Sequence, residues 1–230
     1  MNNKIFFFSD IDNTLIQTKR KTDFSKDTVV ASFNRDGEES SYFYRGTKLF
    51  IDKILDSGII LIPTTARSIS SYNRTIFANE SRIKYVILNF GATIIIDGKI
   101  DIEWQRDIAK RLLEVDLEKL YDEVREVLNI DLDIKIIDGY YINIHNKIAL
   151  DNLEIKNILE EFIKNRPYLH LHHNDNSFAI LPIFINKKLA VEYLIDIYNP
   201  TLTLGAGDNK SDLDFMNITD FKLIPKGFLT

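Results

Sequence analysis

The chain has 230 residues, of which 45% are hydrophobic, so it is long enough to bury a core domain together with a smaller domain. Its formal net charge of −5 argues against a broad nucleic-acid-binding face, and the absence of cysteine excludes disulfides and thiolate metal ligands. The apolar run at residues 5–8 is too short for a signal peptide or a membrane span, so we expect a cytoplasmic protein without a membrane partner.

The first part of the chain reads as alternating strands and helices. Its apolar runs are compact, as in strands that are buried on both faces, and turn residues separate the hairpin arms. The predicted elements are a strand at 4–9, a hairpin with arms at 29–33 and 41–44, a helix from Thr47 to Gly58, strands at 59–62 and 85–88, and a hairpin at 93–96 that turns at Asp97 and Gly98.

The middle of the chain has a different pattern, and the end returns to strand–helix alternation. The middle is predicted to hold a long amphipathic helix from Trp104 to Leu128, strands at 133–137 and 140–145, a helix from Leu150 to Lys164, and strands at 169–172 and 178–181. The end is predicted to hold a helix at 188–198, strands at 202–204 and 222–224, and a short helix at 211–216. We therefore predict an α/β fold with a parallel-sheet core at 1–98 and 183–230 and an inserted α+β domain at 99–182, which is a candidate lid.

Two aspartates, Asp10 and Asp12, directly follow the first predicted strand. Like charges in a shielded place repel each other and resist ionisation. Alternate residues of an extended backbone point to the same side, here at the edge where open α/β sheets bind ligands. A divalent cation would relieve the repulsion, and oxygen ligands select magnesium or calcium over zinc. An ordinary Asx-rich turn after a strand would give the same local pattern.

A second acidic cluster lies at residues 205–212, again after a short apolar strand. Its glycines allow the backbone to turn sharply and to approach a ligand closely. Asp208 and Asp212 could face one ion if Asp212 lies on the first turn of a helix. The alternative is helix capping, with Asp208 or Ser211 as the N-cap and Asp212 favoured by the helix dipole.

Hydroxyls and positive charge come from two further segments. Thr65 and Arg67 follow the strand at 59–62, where a hydroxyl and free N–H groups before a helix form an anion site. Lys187 and Lys188 open a helix, a position that is unfavourable for a cation unless an anionic partner is near. Solvated surface lysines are the alternative.

Together these motifs resemble, in their order along the chain, the haloacid dehalogenase-like (HAD) phosphatases, in particular the Cof-type and sucrose-phosphatase-like branch with its α/β cap domain. The matching residues are Asp10-Ile11-Asp12-Asn13-Thr14, Thr65-Ala66-Arg67 with alanine for the usual glycine, Asn186-Lys187-Lys188-Leu189-Ala190, and Gly207-Asp208-Asn209-Lys210-Ser211-Asp212 with serine for the usual asparagine. Asn89-Phe90-Gly91-Ala92 also echoes an Asn-Gly-Ala stretch of that branch, with an inserted phenylalanine. The resemblance implies a Rossmann-like HAD core with an inserted α+β cap domain.

The resemblance also implies a Mg²⁺-dependent phosphatase that works through an aspartyl-phosphate intermediate. Asp10 would be the nucleophile, and Asp12 would protonate the leaving oxygen and then deprotonate the attacking water. Mg²⁺ would be held by the Asp10 carboxylate, the Asp12 backbone carbonyl and Asp208, while Asp212 would orient a metal-bound water.

The remaining motif residues would serve the phosphoryl group. The resemblance implies that Thr65 and Lys187, rather than Lys188, hold its oxygens. Asn209 and Ser211 would support the site from behind, and Arg67 would either touch the substrate or brace the loop.

Three functions are compatible with these residues. The first is hydrolysis of a small phosphorylated metabolite, with a sugar phosphate as the favoured class. The second is a phosphomutase, which keeps water away from the aspartyl-phosphate. The third is a binding or regulatory module without turnover, against which the complete motif set argues.

Overall fold

The computed structural model of the protein describes residues 4–147 and 151–225. The chain divides into two compact units: Met1–Gln105 with Asn186–Thr230, called here the core unit, and Arg106–Ile185, called the inserted unit. The sequence-based boundaries, after residues 98 and 182, lie a few residues before these. In the described part of the chain, no helix has the length and apolar character needed to cross a membrane.

The secondary structure contains strands, α-helices and single turns of 3₁₀-helix. The strands are β1 (Ile5–Ser9), β2 (Gln17–Thr18), β3 (Thr28–Phe33), β4 (Glu39–Tyr44), β5 (Ile60–Pro63), β6 (Tyr85–Leu88), β7 (Thr93–Ile96), β8 (Lys99–Ile100), β9 (Asp133–Ile137), β10 (Tyr141–His145), β11 (Leu169–Asn174), β12 (Ser177–Pro182), β13 (Leu202–Ala206) and β14 (Phe221–Leu223). The α-helices are α1 (Arg45–Asp56), α2 (Ile69–Tyr72), α3 (Ile102–Leu112), α4 (Leu117–Leu128), α5 (Asn152–Ile163), α6 (Lys187–Tyr198) and α7 (Leu213–Met216). The 3₁₀ turns lie at Lys19–Lys21, Ile76–Asn79, Asn89–Gly91 and Lys210–Asp212.

The core unit contains a four-stranded parallel sheet in the order β14–β13–β1–β5. Strand β1 is central, and its three phenylalanines, Phe6, Phe7 and Phe8, are buried, which confirms the prediction of a strand covered on both faces. A parallel bridge between Thr64 and Ile87 brings β6 alongside β5. Strands from both ends of the chain thus share one sheet, and the predicted α/β fold is confirmed.

The hairpin β3–β4 joins β2 in a small antiparallel sheet, followed at once by α1. Side chains from these elements and from β1 and β5 form one apolar cluster, which includes Phe7, Phe43, Ile51 and Leu61. Close-packed interiors resist deformation. The cluster therefore holds the strands of the sheet, and with them their carboxyl-terminal ends, in fixed positions.

The inserted unit is an antiparallel sheet in the order β11–β12–β10–β9, with α4 and α5 packed on it. Its core is apolar and includes Val124, Ile142, Leu159 and Phe178, each of which is fully buried. This α+β arrangement is the one that the sequence predicts.

One helix prediction needs correction. The single helix from Trp104 to Leu128 is wrong, because α3 ends at Leu112 and α4 begins at Leu117. Leu113 is 88% exposed in the break, and Asp116 caps α4 by accepting a hydrogen bond from the Lys119 N–H. An N-cap has non-helical backbone angles, so it separates two helices even where the apolar pattern continues.

The helix predicted to end at Lys164 corresponds to α5, and its predicted start was near Leu150. That residue lies outside the described part of the chain, and α5 begins at Asn152 with Asp151 as its N-cap.

Candidate active site

The candidate site lies in the core unit, at the carboxyl-terminal ends of β1, β5 and β13. Asp10 continues β1 by one residue, and its N–H donates to the Ala206 carbonyl at 2.8 Å. On the other side, the Thr64 N–H donates to the Ser9 carbonyl at 2.8 Å. The parallel register therefore brings the loops after β5 and β13 beside Asp10.

Lys187 is the centre of the buried charge cluster. Its Nζ donates to Oδ1 of Asp10 and to Oδ1 of Asp212, each at 2.7 Å. The three residues are 8%, 6% and 1% exposed, respectively. Lys187 is also the first residue of α6, and the two carboxylates supply the anionic partners that this position requires. Lys188, by contrast, pairs with Glu192 at 3.4 Å along the same helix.

Three carboxylates converge at this point. Oxygens of Asp10, Asp208 and Asp212 lie within 4.8 Å of one another, and no other grouping of this kind occurs within residues 4–147 and 151–225. Thr14, the last residue of the Asp10-Ile11-Asp12-Asn13-Thr14 motif, also contacts the cluster. Its Oγ1 donates a hydrogen bond to Oδ1 of Asp208 at 3.4 Å. The sequence assigned no role to Thr14, although its place in the Asp-x-Asp-x-Thr motif was a signal.

The charges of the cluster are unbalanced. Burial raises the pKa of Asp10, and the carboxylates of Asp212 and Asp12 raise it further against the opposing effect of Lys187. Burial and Asp212 likewise raise the pKa of Asp208. Burial lowers the pKa of Lys187, but Asp10 and Asp212 more than offset this and hold it above its ordinary value. Lys187 thus donates hydrogen bonds to only two of the three crowded carboxylates, and a further cation at their oxygens would favour the ionised forms.

These residues fit a magnesium ion. Mg²⁺ prefers oxygen ligands and usually binds through one or two carboxylates together with substrate phosphates and water. The Asp10 and Asp208 carboxylates offer such ligands on adjacent strand ends, and the spacing of the cluster lets both reach one ion.

Asp12 and Arg67 form a bidentate ion pair, in which Nε and Nη2 of Arg67 each donate to one carboxylate oxygen at 2.7 Å. A planar guanidinium matches a carboxylate in this geometry, which fixes both side chains. The Arg67 side chain is 14% exposed and that of Asp12 is 27% exposed, so the pair lies at the rim of the site. From the sequence, Arg67 was expected either to contact the substrate or to brace the loop. Its pairing with Asp12 was not predicted.

Thr65 is buried at the end of β5. Its N–H donates to the Ile87 carbonyl at 2.9 Å, and its hydroxyl accepts a hydrogen bond from the Arg67 N–H at 3.2 Å. These bonds shape a tight loop next to the end of β1.

The acidic cluster after β13 is organised by a capping box. The Asn209 side chain accepts a hydrogen bond from the Ser211 N–H, and Oδ2 of Asp212 accepts one from the Asn209 N–H, each at 3.2 Å. The N-cap is therefore Asn209, rather than Asp208 or Ser211 as the sequence suggested. A Cβ at Gly207 would lie 2.3 Å from the Cβ of Asp212, so only glycine permits this approach. Asp212 closes the box with one oxygen and binds Lys187 with the other.

No protein-family model and no curated protein sequence matches the chain. Similar solved structures include sucrose-phosphatase from Synechocystis sp., in complex with sucrose and phosphate. Its sequence is 13% identical, and the match covers 94% of this chain and 80% of that chain with a TM-score of 0.61. The C-terminal domain of trehalose-6-phosphate phosphatase from C. albicans is 14% identical, and the match covers 94% of this chain and 73% of that chain with a TM-score of 0.62. A haloacid dehalogenase-like hydrolase from B. subtilis has 15% identity, coverages of 95% and 94%, and a TM-score of 0.55.

The structural matches cover nearly all of this chain, so they include both the core unit and the inserted unit. The chain therefore has the fold of the HAD-like hydrolases of the Cof and sucrose-phosphatase type, with an α/β core and an inserted α+β domain, as the motif resemblance implied.

Proposed function

We propose that the protein is a magnesium-dependent phosphatase that hydrolyses a small phosphorylated metabolite through an aspartyl-phosphate on Asp10. The observation that carries this proposal is the buried contact of Asp10 with Lys187 beside Asp208 and Asp212. Such a cluster is costly to bury, and costly buried charges concentrate at functional sites. Its place at the carboxyl ends of parallel strands is the usual ligand-binding edge of this fold class.

In the first chemical step, an Asp10 oxygen forms a bond to phosphorus while the bond from phosphorus to the leaving oxygen breaks. Asp12 gives its proton to that leaving oxygen. Lys187 compensates the negative charge of the phosphoryl oxygens, and Thr65 at the neighbouring strand end offers them a hydroxyl and backbone groups.

In the second step, Asp12 takes a proton from water, and the resulting hydroxide oxygen attacks phosphorus and frees Asp10 as inorganic phosphate leaves. Asp12 can carry a proton only if Arg67 gives up at least one of its two hydrogen bonds to the carboxylate. Arg67 thus restrains Asp12 before the substrate arrives.

Magnesium would be held by the carboxylates of Asp10 and Asp208 and by the backbone carbonyl of Asp12, with Asp212 orienting a bound water. When bound, the ion supplies positive charge that neutralises the phosphoryl oxygens and polarises the phosphate. Asn209 and Ser211 keep the Asp208–Asp212 loop in shape through the capping box.

A sugar phosphate is the favoured substrate class. Two of the similar structures are named as phosphatases of phosphorylated disaccharides, sucrose-phosphatase and trehalose-6-phosphate phosphatase. A likeness of fold at this level of identity does not fix the substrate, since specificity depends on the residues that contact it.

The test uses an aryl phosphate as a generic substrate, with inorganic phosphate as the readout. We expect Mg²⁺-dependent release by the natural chain and loss upon addition of EDTA. The variant Asp10→Asn should lose activity by at least about 10⁴-fold, as expected for a covalent nucleophile, while its circular dichroism spectrum is unchanged. Asp36→Asn, which changes an exposed hairpin-turn aspartate, is the matched control.

Undiminished turnover by Asp10→Asn would rule out the proposal. A screen of sugar phosphates with the same readout then identifies the substrate, and an isomerised sugar phosphate without phosphate release would instead indicate a mutase.

A further inference from the structure

Three successive residues between β6 and β7, here called the Asn89–Gly91 segment, have left-handed backbone conformations. The φ angles are +52° at Asn89, +56° at Phe90 and +103° at Gly91. Non-glycine residues rarely adopt positive φ, and two in succession persist only where the surrounding structure imposes them. A strained segment of this kind, with no part in the proposed chemistry, requires a cause.

On one side, the segment is hydrogen-bonded to the loop after β5. The Asn89 N–H donates to the Arg67 carbonyl at 2.8 Å, and the Phe90 N–H donates to the Thr65 carbonyl at 3.2 Å. Both acceptors belong to the Thr65-Ala66-Arg67 stretch, so the left-handed turn fixes the backbone of the proposed phosphate-binding loop.

On the other side, the segment lies directly against the start of α6. A Cβ at Gly91 would be 2.3 Å from the carbonyl oxygen of Asn186 and 3.2 Å from the backbone nitrogen of Lys187. Real Cβ atoms do not approach backbone this closely, so a side chain at Gly91 would displace the helix start. Asn186 is the N-cap of α6 and Lys187 is its first residue, which means that Gly91 sets the position from which Lys187 reaches the site.

Trp104 holds the same arrangement in place. Its Nε1–H donates to the Gly91 carbonyl at 2.9 Å, and its ring lies 4.9 Å from the ring of Tyr193, which is on α6. Trp104 is 7% exposed, and its hydrogen bond to Gly91 is buried. The indole thus contacts the strained segment and the helix whose start that segment sets.

We propose that the Asn89–Gly91 segment is a positioning bridge, which fixes the ammonium of Lys187 relative to the Thr65–Arg67 loop. Its effect on catalysis rests on the proposed function, whereas its effect on the position of Lys187 does not. The bridge takes no part in the chemistry itself; it holds two groups that must contact the same phosphoryl oxygens.

The test compares Gly91→Ala with Gly98→Ala. Gly98 also has a positive φ, of +75°, but a Cβ there would meet nothing within 4 Å. The two variants therefore share the cost of an alanine in a left-handed conformation, and only Gly91→Ala displaces the start of α6.

The first readout is the rate at which an amine-acylating reagent modifies Lys187 in the metal-free protein, measured by mass spectrometry. We expect slow labelling of Lys187 in the natural chain and in Gly98→Ala, and faster labelling in Gly91→Ala. Lys188, whose side chain is 44% exposed, serves as the internal reference. The second readout is kcat for the aryl phosphate, which should fall about 100-fold in Gly91→Ala only, since displacements of about 1 Å cost that much.

If Gly91→Ala does not fold, Trp104→Phe decides the question, because it removes the hydrogen bond to Gly91 without adding atoms at the contact. We expect faster labelling of Lys187 in that variant too, by a smaller factor. A folded Gly91→Ala, or failing that Trp104→Phe, with the labelling rate of Gly98→Ala would overturn the bridge. If the natural chain lacks phosphatase activity, the proposed function fails, but the labelling experiment still tests the bridge.

Discussion

The core unit and the inserted unit bury different kinds of residue. Among the described residues, the buried charged side chains, Asp10, Lys187 and Asp212, all lie in the core unit. Of its residues that the structure describes, the inserted unit buries one polar residue, Asn146, and otherwise an apolar set of helix and strand residues. Stability alone explains the apolar set, whereas buried charges reduce stability unless they are well paired. The contrast therefore supports the proposal that the chemistry takes place in the core unit.

The largest expected effect comes from removing the ammonium of Lys187, which contacts two carboxylates of the site. Lys187→Met leaves Asp10 and Asp212 buried without a cation, and breaking a buried pair in this way costs about 3–5 kcal/mol. We expect that loss in urea unfolding with EDTA present, together with loss of phosphate release. Lys188→Met is the control one residue away, with both properties expected to stay near those of the natural chain. Equal stability of the two variants would show that the buried pairs do not form.

The inserted unit should respond to mutation through stability alone. Leu159 is fully buried in its apolar cluster, and Leu159→Ala should cost about 2–5 kcal/mol because it leaves a cavity. Leu153 lies on the same helix but is 60% exposed, so Leu153→Ala should cost at most about 0.5 kcal/mol. Urea unfolding measures both effects. At temperatures where the variants are folded, kcat should stay near its natural value. A large fall in kcat would show that the inserted unit affects turnover as well as stability.

Binding of magnesium should stabilise the protein through the core unit. At a concentration 100 times the dissociation constant, one bound ion adds about 2.7 kcal/mol to the free energy of unfolding. Asp208→Asn should lose most of this gain, while Asp214→Asn, which changes an exposed aspartate on α7, should keep it. Thermal unfolding with and without Mg²⁺ measures the difference. A gain that survives in Asp208→Asn would place the ion elsewhere.

The smallest expected effect is a dependence of stability on pH, of opposite sign at the buried acidic cluster of the core unit and at Asp133 of the inserted unit. Burial raises the pKa of Asp10 and Asp208, so the folded metal-free protein binds more protons than the unfolded chain above the ordinary aspartate value of 3.8. Stability should therefore fall as the pH rises through the neutral range. Hydrogen bonds from Lys135 and Lys147 lower the pKa of Asp133 in the inserted unit to about 2, so its contribution is lost only under acidic conditions.

Urea unfolding in EDTA between about pH 5.5 and pH 8 tests this difference. That window lies above the pKa of Asp133 in the folded protein and above its pKa in the unfolded chain, so Asp133 stays ionised throughout. We expect a shallower pH dependence in Asp208→Asn than in the natural chain and an unchanged one in Asp133→Asn. An unchanged pH dependence in Asp208→Asn together with a shallower one in Asp133→Asn would mean that the acidic cluster of the core unit is already neutralised by other groups.

Local patterns in the sequence were enough to predict most of the elements. The apolar run of β1, the hairpin at β3 and β4, and the return to strand–helix alternation after residue 182 each depend on neighbours within a few residues. The break between α3 and α4 was missed because the apolar spacing continues across it, and the Asp116 cap is a weaker signal than the periodicity.

The candidate site was predicted as a set of residues but not as a network. The motifs placed Asp10, Lys187, Asp208 and Asp212 at strand or helix ends, where topology brings them to one edge of the sheet. The sequence did not predict which of them touch: Lys187 is 177 residues from Asp10 and spans two carboxylates. Nor did it predict the pairing of Arg67 with Asp12.

The sequence by itself determined most of the elements, their order and the residue types available for chemistry, because propensity, periodicity and motif spacing are local properties. Only the tertiary structure decided how the charges pair and why Gly91 must be a glycine. That glycine is required by the carbonyl of Asn186, which lies far away in the chain. Contacts between distant segments depend on the packing of the whole core unit, and no pattern of neighbouring residues contains that information.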